Sequence, residues 1–293
     1  MGDQDEVREL QALLKLMDEP DPVVYGMIRD KIQSFGPEAI PLLEDSWENV
    51  FDAALQKRIE DVIATIQFEQ LKFELTNWVH FSSQDLLKGF LLISRYQYPE
   101  LSEQEILQKI EQLKWDIWLE LNDNLTPLEQ IKVVNHVFFE IHKFGPNRVN
   151  PNALQNFFIN NVLETFRGNP ISLGILYLVL CNRLSLPVSG IDLPEHFILG
   201  YTRVPRPGEL FLQQETGTVQ FYLNPFKKGA VFTKREVELY LTQLKLEPSP
   251  DYFRPCDNIV ILRRLIVALQ AAYRQHSLAE KTQALDELLR LLD

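Results

Sequence analysis

The residues with the clearest potential for chemistry are His196 and Asn224, which follow a helix predicted to begin at Pro170. His196 falls near the start of one predicted strand, and Asn224 falls at the end of another. A histidine in that place can act as a base, and an asparagine can orient its imidazole by accepting a hydrogen bond. Such a pair serves a cysteine at a helix N-terminus, where the helix dipole stabilises the thiolate. The chemistry in question is acyl transfer or amide hydrolysis.

Neither of the two cysteines falls at that helix start. Cys181 lies inside the helix, roughly 16 Å from its beginning at 1.5 Å per residue, and we expect it to be a buried structural thiol. Cys256 lies in a predicted linker before the last helices, where we expect no catalytic role.

Ser172 is the nearest hydroxyl to the helix start. The string Pro170-x-Ser172-x-Gly174 is faintly similar to a nucleophile elbow, but that motif needs a strand before the turn, and a helix is predicted there. A two-residue step along a helix also rotates the side chain by about 200°, so Ser172 should face away from position 170. We expect Ser172 to form hydrogen bonds at the helix end, with a nucleophilic serine as the alternative.

The acidic residues beside His196 do not complete a metal site. If the strand continues through Pro194, alternation places Asp192 and His196 on one face and Glu195 on the other. One histidine and one carboxylate fall short of the three protein ligands that a catalytic zinc needs, so we predict no metal and no cofactor. His196 is then either a strand-end histidine bonded to Asn224 or to backbone, or a cleft residue that contacts a ligand.

The elements that would position these residues are helices, then antiparallel strands, then helices again, which indicates the α+β class. After Pro187 the apolar period changes from helical to alternating. The predicted strands are Val188–Leu193, Glu195–Tyr201, Leu210–Gln214 and Val219–Leu223, with a hairpin loop at 215–218. The main predicted helices cover about 23–34, 40–47, 53–66, 102–121, 126–141, 152–164, 170–185, 234–244, 257–273 and 279–292.

Composition limits the partners. Asp and Glu outnumber Lys and Arg by 41 to 29, giving a net charge of −12, which argues against nucleic acid and against anionic membranes. The longest apolar run, Ile171–Cys181, is shorter than the roughly 20 residues of a membrane span. The start, MGDQDEVREL, lacks the basic and apolar regions of a secretory signal. With only two cysteines, we expect a cytoplasmic protein.

Four short segments carry a family resemblance. They read RGNPISLG at 167–174, RLSLP at 183–187, LPEHFIL at 193–199 and LNPF at 223–226. Together they resemble the SirB-type branch of the transglutaminase-like superfamily, over about residues 67–245. The resemblance implies a papain-like core with a helix-rich N-terminal half, a small antiparallel sheet and a C-terminal helical hairpin. The domains expected are 1–66, HEAT-like helices; 67–247, transglutaminase-like; and 248–293, a tetratricopeptide-like helical pair.

The superfamily's catalytic loop reads G-x-C, which places the cysteine slot on Pro170 when counted from Gly168. His196 falls in the histidine slot and Asn224 in the orienting slot, where the superfamily usually has Asp. Proline has no nucleophilic atom and is a favoured first helical residue, with Asn169 suited as its N-cap. The resemblance therefore implies a site converted from chemistry to capping.

Three functions follow from this reading. The first is a non-catalytic scaffold that binds a protein or peptide through a cleft formed by Asn169, Glu195, His196 and Asn224. The second is a hydrolase or amidase that uses Ser172 or a water activated by His196. The third is a purely structural protein. The sequence leaves the oligomeric state open.

Overall fold

The computed structural model describes residues 2–203 and 218–293. The chain divides into two compact units, Met1–Thr76 and Asn77–Asp293. The predicted strand Leu210–Gln214 and residues 215–217 of the hairpin loop lie outside the described residues.

The first unit is helical. Its elements are α1 Gly2–Leu14, α2 Pro22–Gln33, α3 Ile40–Asn49 and α4 Ala53–Asn77. Asp21 starts α2 by accepting hydrogen bonds from the amides of Val23 and Val24 at 2.8 and 3.3 Å, as an N-cap does. The predicted end of the fourth helix at Ile66 is wrong, since α4 continues to Asn77. The segment contains no Gly or Pro, and nothing in it interrupts the helical hydrogen bonds.

The second unit contains the remaining elements. Its helices are α5 Leu86–Gln97, α6 Glu103–Trp118, α7 Pro127–Asn135, α8 Ile159–Thr165, α9 Pro170–Arg183, α10 Lys234–Gln243, α11 Asn258–Gln275 and α12 Ala279–Arg290. Two π-helical segments, Trp78–Ser82 and His136–Ile141, lie before α5 and after α7. The predicted helix at 152–164 is instead a 3₁₀ turn, Leu154–Phe157, followed by α8.

Two sheets accompany these helices. A short parallel pair joins β1 Gly145–Pro146 to β2 Arg167–Gly168 and leads into α9. The main sheet is antiparallel, in the order β3–β4–β5–β6. Its strands are β3 Val188–Leu193, β4 His196–Thr202, β5 Val219–Asn224 and β6 Ala230–Phe232. The sequence predicted β3 to β5 within one residue at each end, but not β1, β2 or β6.

The main sheet has a different helical layer on each face. One face packs on α9, since Phe197 of β4 meets Gly174 there. On the other face, Ile191, Leu193, Ile198 and Tyr222 form an apolar cluster with residues of α10. The buried helix α9 is thus held against a small sheet, and the α+β prediction is confirmed. Within the described ranges, no helix combines the length and the apolar character that a membrane crossing requires.

Candidate functional site

The start of α9 is closed by its own side chains. Asn169 Oδ1 accepts hydrogen bonds from the amides of Ile171 and Ser172 at 3.0 and 2.9 Å. Ser172 Oγ in turn accepts from the Asn169 amide at 3.0 Å, which completes a capping box. Pro170 has no amide hydrogen to offer. The amides that would stabilise a thiolate or an oxyanion at this helix end are therefore absent or already used.

Ser172 is a structural hydroxyl in this arrangement. Its side chain is fully buried, and Oγ donates to the Asn156 carbonyl oxygen at 2.6 Å. Pro170 is exposed, as the rotation of about 200° between the two positions requires. A substrate at the exposed helix start would not reach Ser172.

The capped start of α9 requires a glycine at position 168. A Cβ atom at position 168 would lie 2.6 Å from Ser172 Oγ and 3.0 Å from Leu173 Cγ. Ser172 Oγ cannot move aside, because it is fixed by its hydrogen bonds. The Gly-Asn-Pro-x-Ser string therefore encodes one tightly packed helix start.

His196 lies next to a tight turn between β3 and β4. Pro194 and Glu195 form the turn, Leu193 pairs with His196, and Glu195 has a φ of 61°. Tyr240 of α10 donates its hydroxyl proton to the Pro194 carbonyl at 3.1 Å and lies 3.1 Å from His196 Nδ1. With that proton used, Nδ1 is the donor to the Tyr240 oxygen.

His196 and α9 lie on opposite faces of the main sheet. Phe197 contacts Gly174 of α9, and Ile198 belongs to the cluster beneath α10. Since neighbouring strand residues alternate between faces, His196 points to the α10 side together with Ile198. The structure therefore does not bring His196 and Pro170 together as base and nucleophile slot.

The expectation that Asp192 and His196 share a face is wrong. The strand turns at Pro194–Glu195, so Asp192 pairs with Phe197 across the hairpin while His196 pairs with Leu193. Directly opposed residues share a face. Asp192 forms an ion pair with Arg264 of α11, away from His196.

Asn224 has a capping role of its own. Its Oδ1 accepts from the Lys227 amide at 3.2 Å and starts the 3₁₀ turn Pro225–Lys227. In the described part of the chain, His196 and Asn224 share no hydrogen bond. Tyr240, the actual partner of His196, was missed by sequence reasoning because 44 positions separate the two residues.

Both cysteines are free thiols. Cys181 is fully buried, which confirms the expectation for it, and burial raises the pKa of its thiol. Burial likewise raises the pKa of Cys256 to about 12, with the Asp192 carboxylate as a smaller cause. A thiol with a raised pKa is a poor nucleophile at neutral pH. Among the described residues, no three His, Cys, Asp or Glu side chains are grouped as metal ligands.

Comparison with known families agrees with the fold. The model of the transglutaminase-like superfamily matches residues 104–267, more than half of the chain. The chain belongs to the transglutaminase-like superfamily. The matched segment begins in α6 and ends in α11, so it contains the α9 start and the β3–β4 turn of this superfamily member.

Several proteins are similar to the chain at low identity. A UPF0162 protein of Vibrio cholerae is 25% identical over 195 residues, covering 66% of this chain and 67% of that protein. The UPF0162 protein YchA of Escherichia coli K12 is 24% identical over 214 residues, covering 71% and 74%. F-box only protein 21 of Mus musculus is 27% identical over 113 residues, which are 39% of this chain but 17% of the mouse protein. No solved structure gave a significant match.

Proposed function

We propose that this superfamily member is a non-catalytic scaffold that binds a protein or peptide. The observation that carries the proposal is the closed start of α9, where Asn169 and Ser172 satisfy each other's hydrogen-bonding groups. Pro170, which the resemblance places in the nucleophile slot, has no nucleophilic atom. A nucleophilic site needs an activated atom and a base within hydrogen-bond reach. Here the candidate base lies on the other face of the sheet.

We place the chain in the SirB-type branch. The support is the combination of RGNPISLG at 167–174 with LPEHFIL at 193–199. The same proposal covers the HEAT-like reading of residues 1–66, the tetratricopeptide-like reading of 248–293, and a cytoplasmic location.

The candidate cleft presents two exposed residues, Glu195 and His196. Glu195 holds a left-handed backbone conformation, which is rare for residues other than Gly, Asn and Asp and concentrates at functional sites. Asn169 is 7% exposed and Asn224 is part-buried. In the proposed complex Glu195 and His196 contact the partner, while Asn169 and Asn224 act only as caps of their own elements.

Protein binding also agrees with an aromatic surface on α6. Trp115 and Trp118 are 53% and 54% exposed, their rings pack edge to face at 5.2 Å, and Leu119 beside them is 72% exposed. Tryptophan dominates binding hot spots, so this group is the second surface to test.

The test is an affinity capture with mass-spectrometric readout, followed by a direct binding measurement on each captured protein. The bait proteins are wild type, His196→Ala, Trp115→Gln/Trp118→Gln, and His136→Ala as control for the loss of an exposed histidine. We expect His196→Ala to lose a partner that His136→Ala retains. Loss in the tryptophan variant alone would move the contact surface to α6, and the absence of any partner would contradict the scaffold proposal.

The hydrolase alternative lacks structural support. Its serine version needs an accessible Ser172, and that hydroxyl is fully buried and hydrogen-bonded to Asn156. Its water version would use Nε2 of His196, since Nδ1 donates to Tyr240, but that histidine lies on the sheet face opposite α9.

A further inference from the structure

A cleft of about 780 Å³ lies away from the start of α9. It is bounded by β5, by the first half of α10 and by the segment between α10 and α11. Its lining residues include Val219, Tyr222, Lys234, Glu238, Phe253 and Arg254. This volume is within the usual range of small-molecule sites, about 300–1,000 Å³.

The cleft contains two cations that have no carboxylate partner among the described residues. Lys234 and Arg254 both line it, and in the described part of the chain neither forms an ion pair. Lys234 Nζ lies 4.9 Å from the centroid of the Phe253 ring, so the ammonium group lies over the face of that ring. Two unpaired cations facing one space are notable in a chain of net charge −12. They provide a place for an anionic group.

Part of the lining is aromatic or proline-rich and stiff. Tyr222 and Phe253 supply aromatic surface, and Pro248, Pro250 and Pro255 line the same space. Proline fixes φ, so this wall loses little conformational entropy when a ligand binds. Tyr222 donates a hydrogen bond to the Phe253 carbonyl at 3.2 Å, which ties the proline-containing segment to the sheet.

Glu238 limits the charge of the ligand. Its carboxylate lines the cleft one helical turn beyond Lys234 and would repel a dianionic phosphate. A single carboxylate can pair with Lys234 and Arg254 while an N–H of the ligand donates to Glu238. An aromatic or aliphatic body would then cover Tyr222 and Phe253.

We infer that this cleft binds a carboxylate-bearing ligand with an apolar or aromatic body, held by Lys234 and Arg254. The chemistry is shared by a small N-acylated amino acid and by the C-terminus of a peptide. Both sources offer one carboxylate, one amide N–H and an apolar side chain. The inference stands independently of the scaffold proposal, because it uses none of the cleft residues at the β3–β4 turn.

The experiment uses N-acetylphenylalanine and a pentapeptide that ends in a free phenylalanine carboxylate, each paired with its uncharged C-terminal amide. Calorimetry measures binding to the full chain. We expect both acids to bind about tenfold or more tighter than their amides, because a charge-assisted contact is lost. Equal affinity of the two acids identifies a small acid as sufficient, and tighter binding of the pentapeptide identifies a chain end.

Variants assign the binding to this cleft. Lys234→Gln and Arg254→Gln should each weaken the acids about tenfold and leave the amides unchanged. Arg235→Gln is the matched control, since Arg235 is the next residue of α10, is exposed and does not line the cleft. Thermal melts establish that all three variants are folded. The inference is overturned if acids and amides bind equally, if neither acid binds at millimolar concentration, or if Arg235→Gln has the same effect as Lys234→Gln.

Discussion

The Phe197 ring lies directly against the backbone of Gly174. A Cβ atom at position 174 would be 2.7 Å from Phe197 Cδ1 and 2.8 Å from Cε1. This contact fixes which face of β4 meets α9, so that Phe197 and not His196 points toward the helix. The orientation of the sheet therefore separates His196 from the start of α9.

Gly174→Ala should destabilise the second unit. The added methyl overlaps the Phe197 ring in a tightly packed core, which costs about 1–3 kcal/mol, less the gain of about 1 kcal/mol from helix propensity. Urea unfolding followed by circular dichroism measures the change in the free energy of unfolding. Gly174→Ala/Phe197→Leu should recover part of the loss, because leucine leaves room for the methyl.

The control for that experiment is Gly26→Ala in α2, where a Cβ atom meets nothing within 4 Å. It should stabilise the first unit by about 0.5–1 kcal/mol. If both substitutions stabilise, the contact between Phe197 and Gly174 is looser than the structure has it.

Ser172→Ala should cost about 1–3 kcal/mol of the free energy of unfolding, because the buried Asn169 amide and Asn156 carbonyl lose their partner. Thr242→Ala removes a hydroxyl bonded to the Glu238 carbonyl on the exposed side of α10 and should change stability by less than about 0.5 kcal/mol. A fluorophosphonate probe should leave Ser172 unlabelled. Labelling at that residue would restore the hydrolase alternative.

Pro170→Cys should give a reactive thiol without giving an enzyme. A cysteine at the first helical position would lie near the positive end of the α9 dipole, which lowers a thiol pKa. It would still lack a base within reach, since His196 lies on the sheet face opposite α9. We expect rapid alkylation by iodoacetamide at pH 7 and no turnover of amide or thioester substrates. Turnover that His196→Ala then removes would show that the two positions do meet.

The two native thiols should react slowly with iodoacetamide, Cys256 before Cys181. Burial raises the pKa of Cys256 to about 12, so the thiolate fraction at pH 8 is small and rises about tenfold per pH unit. Cys181 is fully buried and should react only on unfolding. Mass spectrometry after iodoacetamide treatment from pH 7 to 10 measures both rates. Fast labelling of Cys181 in folded protein would contradict its burial.

Glu195→Gly should raise the stability of the turn and weaken partner binding. Glycine adopts the φ of 61° freely, so the turn should gain up to about 1 kcal/mol of stability. In the scaffold proposal the same change removes a partner contact and should weaken capture. Ser277→Gly, at a φ of 59° between α11 and α12, is the control that relieves strain without touching the cleft. Unchanged capture by Glu195→Gly would favour the purely structural alternative.

The sequence by itself determined the local elements around the site. Asn169-Pro170 and Ser172 specify a capped helix start, and the alternating pattern at 188–193 specifies β3, because caps and strand period depend on near neighbours. It also determined that His196 and Phe197 point to opposite faces. The helix predicted at 53–66 was ended too early, because a boundary was assigned where no breaker residue stands.

Only the tertiary structure decided that Phe197, and not His196, meets α9. The choice depends on the turn at Pro194–Glu195 and on strand register, and a shift of one residue would exchange the faces. The partner of His196 is likewise a long-range matter, since Tyr240 comes from a helix that packs on the far side of the sheet. The cleft bounded by β5 and α10 has the same origin, because Lys234 and Arg254 line one space only once the segment after α10 is tied to β5.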